Sequence, residues 1–577
     1  MESLDRGLVA VKNPGGVFLS WRLSGTENPA TTFNVYKNGT LLNGKPIAHA
    51  TNFTDAAGQL KDEYTVKKME NGRETEISKT VKPWEKPFLT LQMKRPPKAD
   101  DASEPDVKRL EYFPNEAGVA DLDGDGEYEL VVKWDARARD NAHRGRTDPV
   151  FLDGYKLDGT HLWRIGLGKN IRAGQHYTQM IVYDLDGDGK AELVCKTAPG
   201  TLDGKGEPVL LGDDDADADY RSENGYVLEG PEYLTVFDGE TGAQVQTIPY
   251  YPPRGNVRDW GDDYGNRVDR FLACVGYFDG QHPSVVMCRG YYTRAVLAAY
   301  DFADGKLKER WIYDTGTSRD GKATAYGQGN HSIDVGDVDG DGFDEIVYGG
   351  ACIDHDGKLL YSTGLGHGDA AHLGDMDPDR PGLEFFCVHE SKSCPAGMEL
   401  RDAGTGELLF GLPSNMDVGR GLAANIDPNH RGYEFWSALN GNVYNIKGEV
   451  ISTKKPSANF RVFWDGDLLD ELLNGVRLDK WNGNGVDRLV DFADYGATSG
   501  NGGKATPVLS ADIFGDWREE IVYFSKEDPS RLMIFTTTIP TEHKRVTLMH
   551  DHVYRMKVAV QNVVYNQPPH TGYHFAE

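Results

Sequence analysis

One acidic phrase recurs along most of the chain and constrains its fold more than any other feature. It reads DLDGDGEYEL from Asp121, DLDGDGKAEL from Asp184 and DVDGDGFDEI from Asp337. Weaker copies of the same acidic turn, each followed by a β-rich run, begin at Asp375, Asn425, Asp512, Trp464 and Tyr277. Repetition of one strand–turn–strand unit is the signature of a repeat architecture. Eight copies, about 56 residues apart on average, predict an eight-bladed β-propeller with four strands in each blade.

The first 85 residues have a different pattern. Short alternating runs, interrupted by Asn38-Gly39 and Asn71-Gly72, predict strands at 17–23, 32–36, 63–67 and 76–81. With Trp21, Tyr36 and Tyr64 as core aromatics, this part is similar to a fibronectin type III sandwich. The chain is therefore predicted to be all-β, with a fibronectin type III-like β-sandwich at 1–85 and the propeller at 86–577.

Composition excludes several classes of partner. The formal net charge of -28 argues against nucleic acid and against an anionic membrane surface. The sequence contains no run of about 18 apolar residues that could span a bilayer. Six cysteines spread over 577 residues predict buried free thiols rather than a disulfide framework.

The repeated turn carries the oxygen ligands of a calcium loop. In its first copy Asp121, Asp123 and Asp125 alternate, a glycine follows, and Glu129 closes the loop. Glu129 comes eight positions after Asp121, whereas an EF-hand closes eleven positions on, so the spacing resembles integrin-like propellers instead. Hard oxygen ligands suit calcium, while zinc prefers His or Cys.

The same pattern predicts several bound calcium ions. The predicted ligands of the other copies are Asp184, Asp186, Asp188 and Glu192; Asp337, Asp339, Asp341 and Glu345; Asp375, Asp377, Asp379 and Glu384; and Asn425, Asp427, Asn429 and Glu434. In the copy at Asp512, Phe514 replaces a ligand, so that loop is expected to be empty. We interpret these ions as structural. A calcium-loaded propeller of this type leads us to expect a secreted, cell-surface or periplasmic protein, although the first seven residues lack the apolar core of a signal peptide.

The turns also predict where chemistry takes place. If each turn joins the innermost strand to the second, residues slightly upstream and downstream meet at the opposite end of the sheet, about 20 Å away. The polar residues at those offsets are Asn115, His176, His331, His367, Asp369, Arg420, Lys504, Lys133, Asp135, Lys196 and Glu390. Such convergence is typical of a cleft with perturbed titrating groups. Within it, His331, His367, Asp369 and Glu390 either hold a further cation or form a hydrogen-bonded cluster.

Several long runs carry a family resemblance. They include LDRGLVAV, KNIRAGQHYTQMIVYDLDGDGKAE, MDVGRGLAANID, GKATPVLSADIFGDWREEI and QNVVYNQPPHTGYHF. Over nearly its whole length the chain resembles the rhamnogalacturonan lyases of polysaccharide lyase family 11. The resemblance implies an eight-bladed propeller with several calcium ions and a cleft for the alternating rhamnose and galacturonate of rhamnogalacturonan I, a pectic polysaccharide.

The resemblance also implies roles for individual residues. Lys504 and Arg420 would lie at the scissile galacturonate, with Tyr565 and the Asn501-Gly502-Gly503 turn beside rhamnose. Asn115 and Asp135 would contact sugar. His331, His367, Asp369 and Glu390 would bind a calcium ion needed for activity. The family's turn usually reads Asn-Gly-Thr-Lys, so Gly503 lacks the hydroxyl that the family presents there.

The implied reaction explains these residue types. A lyase removes the proton on C5 of galacturonate and expels the oxygen on C4, which requires neutralisation of the adjacent carboxylate, here by calcium or Arg420. The base must be neutral, and cations around Lys504 would lower its pKa. We therefore hypothesise Lys504 as the base and Tyr565 as a proton donor or sugar-stacking residue.

Two further expectations concern the mode of action and the oligomeric state. The short run LPSNMDVG before Arg420 leaves little material for an obstructing lid, which favours an endo-acting enzyme, and we expect a monomer.

One alternative is a non-catalytic calcium-dependent glycan-binding or adhesion propeller. The other is a glycoside hydrolase that uses two carboxylates such as Asp135 and Asp369.

Overall fold

The structure is a computed structural model in which residues 2–97 and 111–576 are described. Within these ranges the chain is almost entirely β. The first seven strands are β1 (Val9–Asn13), β2 (Gly16–Ser20), β3 (Thr32–Lys37), β4 (Thr40–Leu41), β5 (Asn52–Asp55), β6 (Tyr64–Glu70) and β7 (Arg73–Ile77). They form two sheets, β1-β2-β5 and β4-β3-β6-β7, which share one apolar core.

The structure corrects two details of the N-terminal prediction. The core aromatics are Trp21, Phe33 and Tyr64, whereas Tyr36 lies nearer the surface under the ammonium of Lys67. The strand predicted at 76–81 lies a few residues too far along the chain, because β7 begins at Arg73, directly after the Asn71-Gly72 turn, and ends at Ile77. Both turn residues have positive φ, and a two-residue turn of this kind fixes the register of the strand that follows.

The other described strands form eight sheets. Strand β8 (Phe88–Gln92) comes first along the chain but belongs to the last of these sheets. The first four sheets contain β9 (Phe113–Ala120), β10 (Glu129–Asp135), β11 (Phe151–Tyr155) and β12 (His161–Gly166); β13 (Met180–Tyr183), β14 (Glu192–Thr197), β15 (Tyr233–Asp238) and β16 (Gln244–Pro249); β17 (Phe271–Gly276), β18 (Ser284–Arg289), β19 (Val296–Ala303) and β20 (Lys306–Asp314); and β21 (Asp334–Gly336), β22 (Glu345–Tyr348), β23 (Ala351–Ile353) and β24 (Leu359–Ser362).

Three more sheets follow the same plan. They contain β25 (Gly368–Gly374), β26 (Glu384–His389), β27 (Met398–Asp402) and β28 (Leu408–Leu412); β29 (Gly421–Ala424), β30 (Glu434–Ser437), β31 (Val443–Tyr444) and β32 (Val450–Ser452); and β33 (Phe460–Val462), β34 (Glu471–Asn474), β35 (Arg477–Trp481) and β36 (Val486–Asp491). In all seven sheets, neighbouring strands follow one another along the chain and pair antiparallel.

The eighth sheet joins the two ends of this region. It contains β37 (Ala497–Thr498), β38 (Leu509–Ala511), β39 (Glu520–Ser525) and β40 (Arg531–Phe535), and its outermost strand is β8. Phe88 lies opposite Phe535, and Gln92 lies opposite Arg531. The first strands of sheets one to seven contact one another in chain order, and β38 contacts β9.

The helices are few and short. Helix α1 (His552–Val560) has Asp551 as its N-cap, whose side chain accepts a hydrogen bond from the backbone N–H of Tyr554. The helix packs against β9, β13, β17 and β21. In residues 2–97 and 111–576, four 3-10 segments lie at Val257–Trp260, Phe492–Tyr495, Gly502–Lys504 and Leu548–His550. Among the described residues, no helix has the length and apolar character needed to cross a bilayer. The six cysteines are buried and free, as predicted.

The acidic turns lie where the sequence places them. The turn 121–128 joins β9 to β10, and the turns 184–191 and 337–344 join the first two strands of their own sheets. In the first sheet Glu129 lies opposite Ala120 beside the turn, and Asp135 lies opposite Phe113 at the other end. Turns and predicted cleft residues therefore occupy opposite ends of the sheets.

Candidate active site

A cluster of two imidazoles and two carboxylates forms where the fourth and fifth sheets begin. His331 precedes β21, His367 and Asp369 lie at the start of β25, and Glu390 follows β26. The backbone N–H of His331 donates to Gly368, and that of Glu390 donates to His367. These bonds hold the two chain segments side by side.

The cluster has the geometry of a cation site. His331 Nε2 lies 3.4 Å from Asp369 Oδ1 and 3.5 Å from Glu390 Oε1, and His367 Nε2 lies 3.3 Å from the same Glu390 oxygen. One ligand atom from each of the four residues falls within 4.8 Å of the others. The four residues that the sequence analysis grouped are thus in contact.

The orientation of His367 fits a metal ligand. Its Nδ1–H donates to the carbonyl of Gly329. Its Nε2 is buried and finds no hydrogen-bond partner of good geometry among residues 2–97 and 111–576, although the Glu390 oxygen lies nearby. A histidine that binds a metal commonly donates its other ring nitrogen in this way, because that bond fixes the tautomer.

The charge states of the cluster also suit a cation. Burial lowers the pKa of His331 well below its usual value, and His367 adds to this effect. Burial opposes the ionisation of Glu390, but the close approach of His331 and His367 outweighs it and holds the pKa of that carboxyl below its usual range. Burial raises the pKa of Asp369 to about 6. A neutral imidazole at His331 and an ionised carboxylate at Glu390 are the forms that bind metals.

Two tyrosines that were not predicted complete the cluster. The hydroxyl of Tyr292 lies 3.1 Å from His331 Nε2 and donates to Glu390 over 3.1 Å, and the hydroxyl of Tyr291 lies 3.2 Å from His331 Nδ1. Both follow β18, downstream of the weak acidic copy at Tyr277. The offset rule used for the other copies would have found them if it had been applied to this one.

Lys504, Arg420 and Tyr565 meet beside the cluster. Arg420 Nη2 donates to the carbonyl of Lys504 over 3.1 Å, and the ammonium of Lys504 lies 3.7 Å from the centre of the Tyr565 ring. The Tyr565 ring in turn lies 4.2 Å from the His331 ring, and its backbone N–H donates to the His331 carbonyl. Tyr565 therefore connects Lys504 to the histidine and carboxylate cluster.

Burial controls the titration of this group. It lowers the pKa of Lys504; Asp369 opposes that shift and Arg420 adds to it. Burial also raises the pKa of Tyr565, so that its hydroxyl stays protonated. The result is a lysine that loses its proton more readily than usual, next to a tyrosine that keeps its own.

The residues expected to contact sugar line a cleft of about 230 Å³ close to Lys504, whose backbone N–H donates to the carbonyl of Asn501. Its walls include Asn115, Asp135, Asn501 and Gly502, together with Phe113, Arg139, Asp140, Gln175 and His176. Asn501 adopts a left-handed backbone conformation with φ of 56° and donates to Thr506 over 2.8 Å. Gly503 does not line the cleft, and an added Cβ there would meet nothing within 4 Å.

Of the other residues predicted at this end of the sheets, His176 joins the site, whereas Lys133 and Lys196 do not. His176 Nδ1 lies 3.0 Å from the hydroxyl of Tyr291, and its ring lies 5.1 Å from that of His331. Lys133 is engaged by the buried carboxylate of Glu116. Lys196 pairs with the buried Glu232 over 2.9 Å.

The acidic turns form separate groups that could hold metal ions. Such groups include Asp121, Asp123 and Glu129; Asp184, Asp186 and Glu192; and Asp341, Glu345 and His355. Burial raises the pKa of Glu129, Glu192, Glu345 and Glu434 to about 8 and that of Glu384 to about 7. Buried carboxylates of this kind are costly unless a cation neutralises them.

Basic side chains enter several of the acidic turns, and in the copy at Asp375 Arg431 Nε lies 2.9 Å from Asp379. Lys156 reaches the first, where its ammonium contacts Asp123 and lies 3.1 Å from Asp125. Lys480 reaches the copy at Trp464, where its ammonium lies 2.7 Å from Asp467. In the copy at Asp512, Oδ2 of this residue accepts hydrogen bonds from Thr547 and Leu548.

Comparison with known proteins identifies the family. Residues 88–577 match the model of the C-terminal domain of rhamnogalacturonan lyase family 11, and residues 1–84 match the β-sheet domain of rhamnogalacturonan I lyases. The chain is 54% identical to the rhamnogalacturonan endolyase YesW of Bacillus subtilis (99% of this chain, 91% of YesW) and 52% identical to the exolyase YesX of the same organism (100% and 95%).

Solved structures agree with this result. A rhamnogalacturonan lyase of family PL11 from Bacillus licheniformis matches with a TM-score of 0.96 at 54% identity, covering 100% of this chain and 97% of that one. Both parts of the chain are thus matched by models of one family, and relatives of similar length match over its whole extent. The chain belongs to rhamnogalacturonan lyase family 11.

Proposed function

We propose that this polysaccharide lyase cleaves the bond between rhamnose and O4 of galacturonate in the rhamnogalacturonan I backbone by calcium-assisted β-elimination. The observation that carries the proposal is the junction at Tyr565, where Lys504 and Arg420 meet the cluster of His331, His367, Asp369 and Glu390. A glycan-binding module has no need of a half-buried lysine whose pKa is lowered beside a half-buried arginine.

Lys504 is the proposed base. Its lowered pKa makes the neutral amine, which removal of the C5 proton requires, more accessible than in an ordinary lysine. The guanidinium of Arg420 stabilises the negative charge that develops on the galacturonate carboxylate. The Tyr565 hydroxyl, kept protonated by burial, gives its proton to the departing O4.

Calcium is the proposed cofactor. His331, His367, Asp369 and Glu390 would hold one ion, which when bound supplies positive charge for the galacturonate carboxylate. Further ions would occupy acidic turns, where oxygen donors alternate and buried carboxyl oxygens of Asp123, Glu345, Glu384 and Glu434 lack a hydrogen-bond partner among the described residues. Where Lys156 enters the first turn, its ammonium would have to leave before an ion could bind.

Asn115, Asp135, Asn501 and Gly502 would hold the rhamnose that precedes the scissile bond, because they line the cleft next to Lys504. Asn115 and Asn501 offer amides and Asp135 a carboxylate, groups that pair with sugar hydroxyls. Gly503 would contribute only through the conformation of its turn.

For the architecture, we propose an eight-bladed propeller at 86–577 that follows a fibronectin type III-like sandwich at 1–85. The contact of β38 with β9 and the pairing of β8 with β40 support a closed ring. We also propose a secreted monomer that acts in endo fashion. The eight residues 413–420 between β28 and β29 favour endo cleavage, since so short a connection offers little material to block the cleft.

The function is tested with rhamnogalacturonan I and homogalacturonan, each with and without a calcium chelator. Unsaturated oligosaccharides of many sizes should form from rhamnogalacturonan I but not from homogalacturonan, and the chelator should stop their release. Binding without turnover would instead indicate a glycan-binding module, saturated products would indicate a hydrolase, and release of a single small product would indicate exo cleavage.

A further inference from the structure

The alternation of the substrate places a demand on the cleft. A rhamnose held by Asn115, Asp135 and Asn501 has a galacturonate on both sides along the polymer. Lys504 and Arg420 serve the carboxylate on the scissile side. The galacturonate on the other side brings a second carboxylate toward a wall that contains Asp135 and Asp140.

Arg139 is the cation on that wall. It lies in the segment after β10, and its backbone N–H donates to the Ala173 carbonyl over 3.0 Å. Its own carbonyl sits 2.2 Å from where a Cβ on Gly174 would be, so only glycine permits this approach. The backbone of Arg139 is therefore held closely against the start of the second sheet.

The guanidinium of Arg139 has capacity for a ligand. It rests on Gly145, where an added Cβ would lie 2.7 Å from its central carbon, and Nε donates to the Arg146 carbonyl over 3.4 Å. Within residues 2–97 and 111–576, no carboxylate forms an ion pair with it, and the side chain is only partly buried. Two terminal nitrogens thus remain for a planar anion.

The carboxylates close to Arg139 are engaged elsewhere or buried. Asp140 lies 3.2 Å from His176 Nε2 and 3.8 Å from Arg270. Asp135 is buried at the end of β10 beside the pair formed by Lys133 and Glu116. The neighbouring Arg137 pairs with Asp148 over 3.1 Å. Compared with Arg137 and Arg270, Arg139 is the arginine that lines the cleft, and its guanidinium forms no ion pair with any described residue.

We propose that Arg139 binds the carboxylate of the galacturonate that lies beyond rhamnose, on the side away from the scissile bond. This inference rests on the proposed function. A guanidinium fork matches a carboxylate with two parallel hydrogen bonds and is the side chain best suited to such planar recognition. The enzyme would thus recognise the three sugars galacturonate, rhamnose and galacturonate, with basic side chains at both galacturonate carboxylates.

The test uses two oligosaccharides of rhamnogalacturonan I that differ by one sugar. The shorter begins with rhamnose at its non-reducing end, and the longer carries one more galacturonate before that rhamnose. Cleavage at the first rhamnose–galacturonate bond is followed by mass spectrometry for wild type, Arg139→Gln, Arg139→Lys and the control Arg144→Gln, which alters an exposed arginine of the same loop.

For the longer substrate, Arg139→Gln should lower kcat/KM about tenfold, which corresponds to about 1.4 kcal/mol. For the shorter substrate it should leave kcat/KM unchanged, and Arg139→Lys should fall between wild type and Arg139→Gln on the longer one. Arg144→Gln should match wild type on both. A longer substrate whose terminal galacturonate is carboxyl-reduced should be insensitive to Arg139→Gln, as expected when both changes remove one interaction.

Equal losses on both substrates, or no loss on either, would overturn the assignment. The first result would mean that Arg139 supports the fold or the rhamnose contacts, and thermal unfolding of the variant would separate these two causes. If wild type forms no unsaturated product from either oligosaccharide, the proposed lyase reaction fails before Arg139 is tested at all.

Discussion

The ammonium of Lys504 lies 3.7 Å from the centre of the Tyr565 ring, on a turn whose carbonyl accepts a hydrogen bond from Arg420. The same tyrosine contacts His331 through its ring and its backbone. Base, guanidinium and histidine cluster are therefore held by direct contacts, and a change in any one of them alters the surroundings of the other two.

Replacement of Lys504 by Ala should lower kcat by about 10³-fold, because loss of a positioned general base costs about 10²- to 10⁴-fold. Bound calcium and the melting temperature should stay close to wild type. The measurement is the ultraviolet absorbance of the unsaturated product, with metal analysis of the same sample. Lys308→Ala, which alters an exposed lysine of β20, is the control, and activity retained in Lys504→Ala would remove Lys504 from the mechanism.

The pH profile should report the titration of Lys504. The rate rises with pH as the ammonium loses its proton, with an inflection below the ordinary value of 10.5. In Arg420→Gln the remaining activity should inflect at higher pH, because a positive charge that disfavours the ammonium has been removed. An inflection that stays in place or moves to lower pH would contradict this account.

Glu390→Gln should remove one calcium ion and most of the activity while the fold persists. Glu390 contacts both histidines of the cluster but is partly exposed, so its loss leaves little buried charge uncompensated. We expect at least about a 100-fold lower kcat/KM, in line with loss of a group that stabilises transition-state charge. Elemental analysis and circular dichroism provide the readouts; full activity with one ion fewer would show that this ion is dispensable.

Glu345→Gln should affect stability instead of chemistry, because the third acidic turn lies at the other end of its sheet. With excess calcium the variant should melt at lower temperature, since an ion present at 100 times its Kd stabilises by about 2.7 kcal/mol. Activity at low temperature should match wild type. A variant that is inactive but melts like wild type would reverse the roles assigned to the two sites.

Removal of calcium should invert the order of the melting temperatures of wild type and Glu345→Gln. Burial raises the pKa of Glu345 to about 8 from its ordinary 4.5, so the ion-free wild type loses stability as pH rises from about 4.5 to about 8. Glu345→Gln lacks this titration and should melt above wild type in chelator near pH 8. Melting curves at several pH values measure the effect.

Gly503→Thr should restore the hydroxyl that the family pattern presents. The space beside Gly503 is open, so the side chain fits without displacing a neighbour. We expect KM for rhamnogalacturonan I to fall severalfold at constant kcat, since one neutral hydrogen bond contributes about 0.5 to 1.5 kcal/mol. Gly503→Ala adds bulk without the hydroxyl and should leave KM unchanged.

The regular part of the fold could be predicted from the repeated turn. A turn of fixed length between two strands sets which residues lie at each end, so the positions of Asp337 and Asp375 were enough to group His331, Asp369 and Glu390. That prediction needed no side-chain detail, because the period of a strand is nearly invariant. The same rule placed Arg420 and Lys504 at the correct end.

Contacts between segments distant along the chain could not be predicted in this way. The choice of β8 as partner of β40, for example, depends on how the last sheet is completed. Lys133 and Lys196 satisfied the offset rule but pair with buried carboxylates on nearby strands. Local spacing identifies an end of a sheet, whereas tertiary packing decides which charged groups remain available.

The pairing of β8 with β40 has a consequence for how the protein is made. Phe88 leaves the ribosome more than 400 residues before Phe535, the partner that lies opposite it. Throughout that interval an early-synthesised strand waits with unpaired backbone edges, and such edges favour association with other nascent chains. Chaperone binding to residues 88–92 during translation would bridge this delay, and messages truncated before codon 531 should give products that aggregate rather than shortened enzymes.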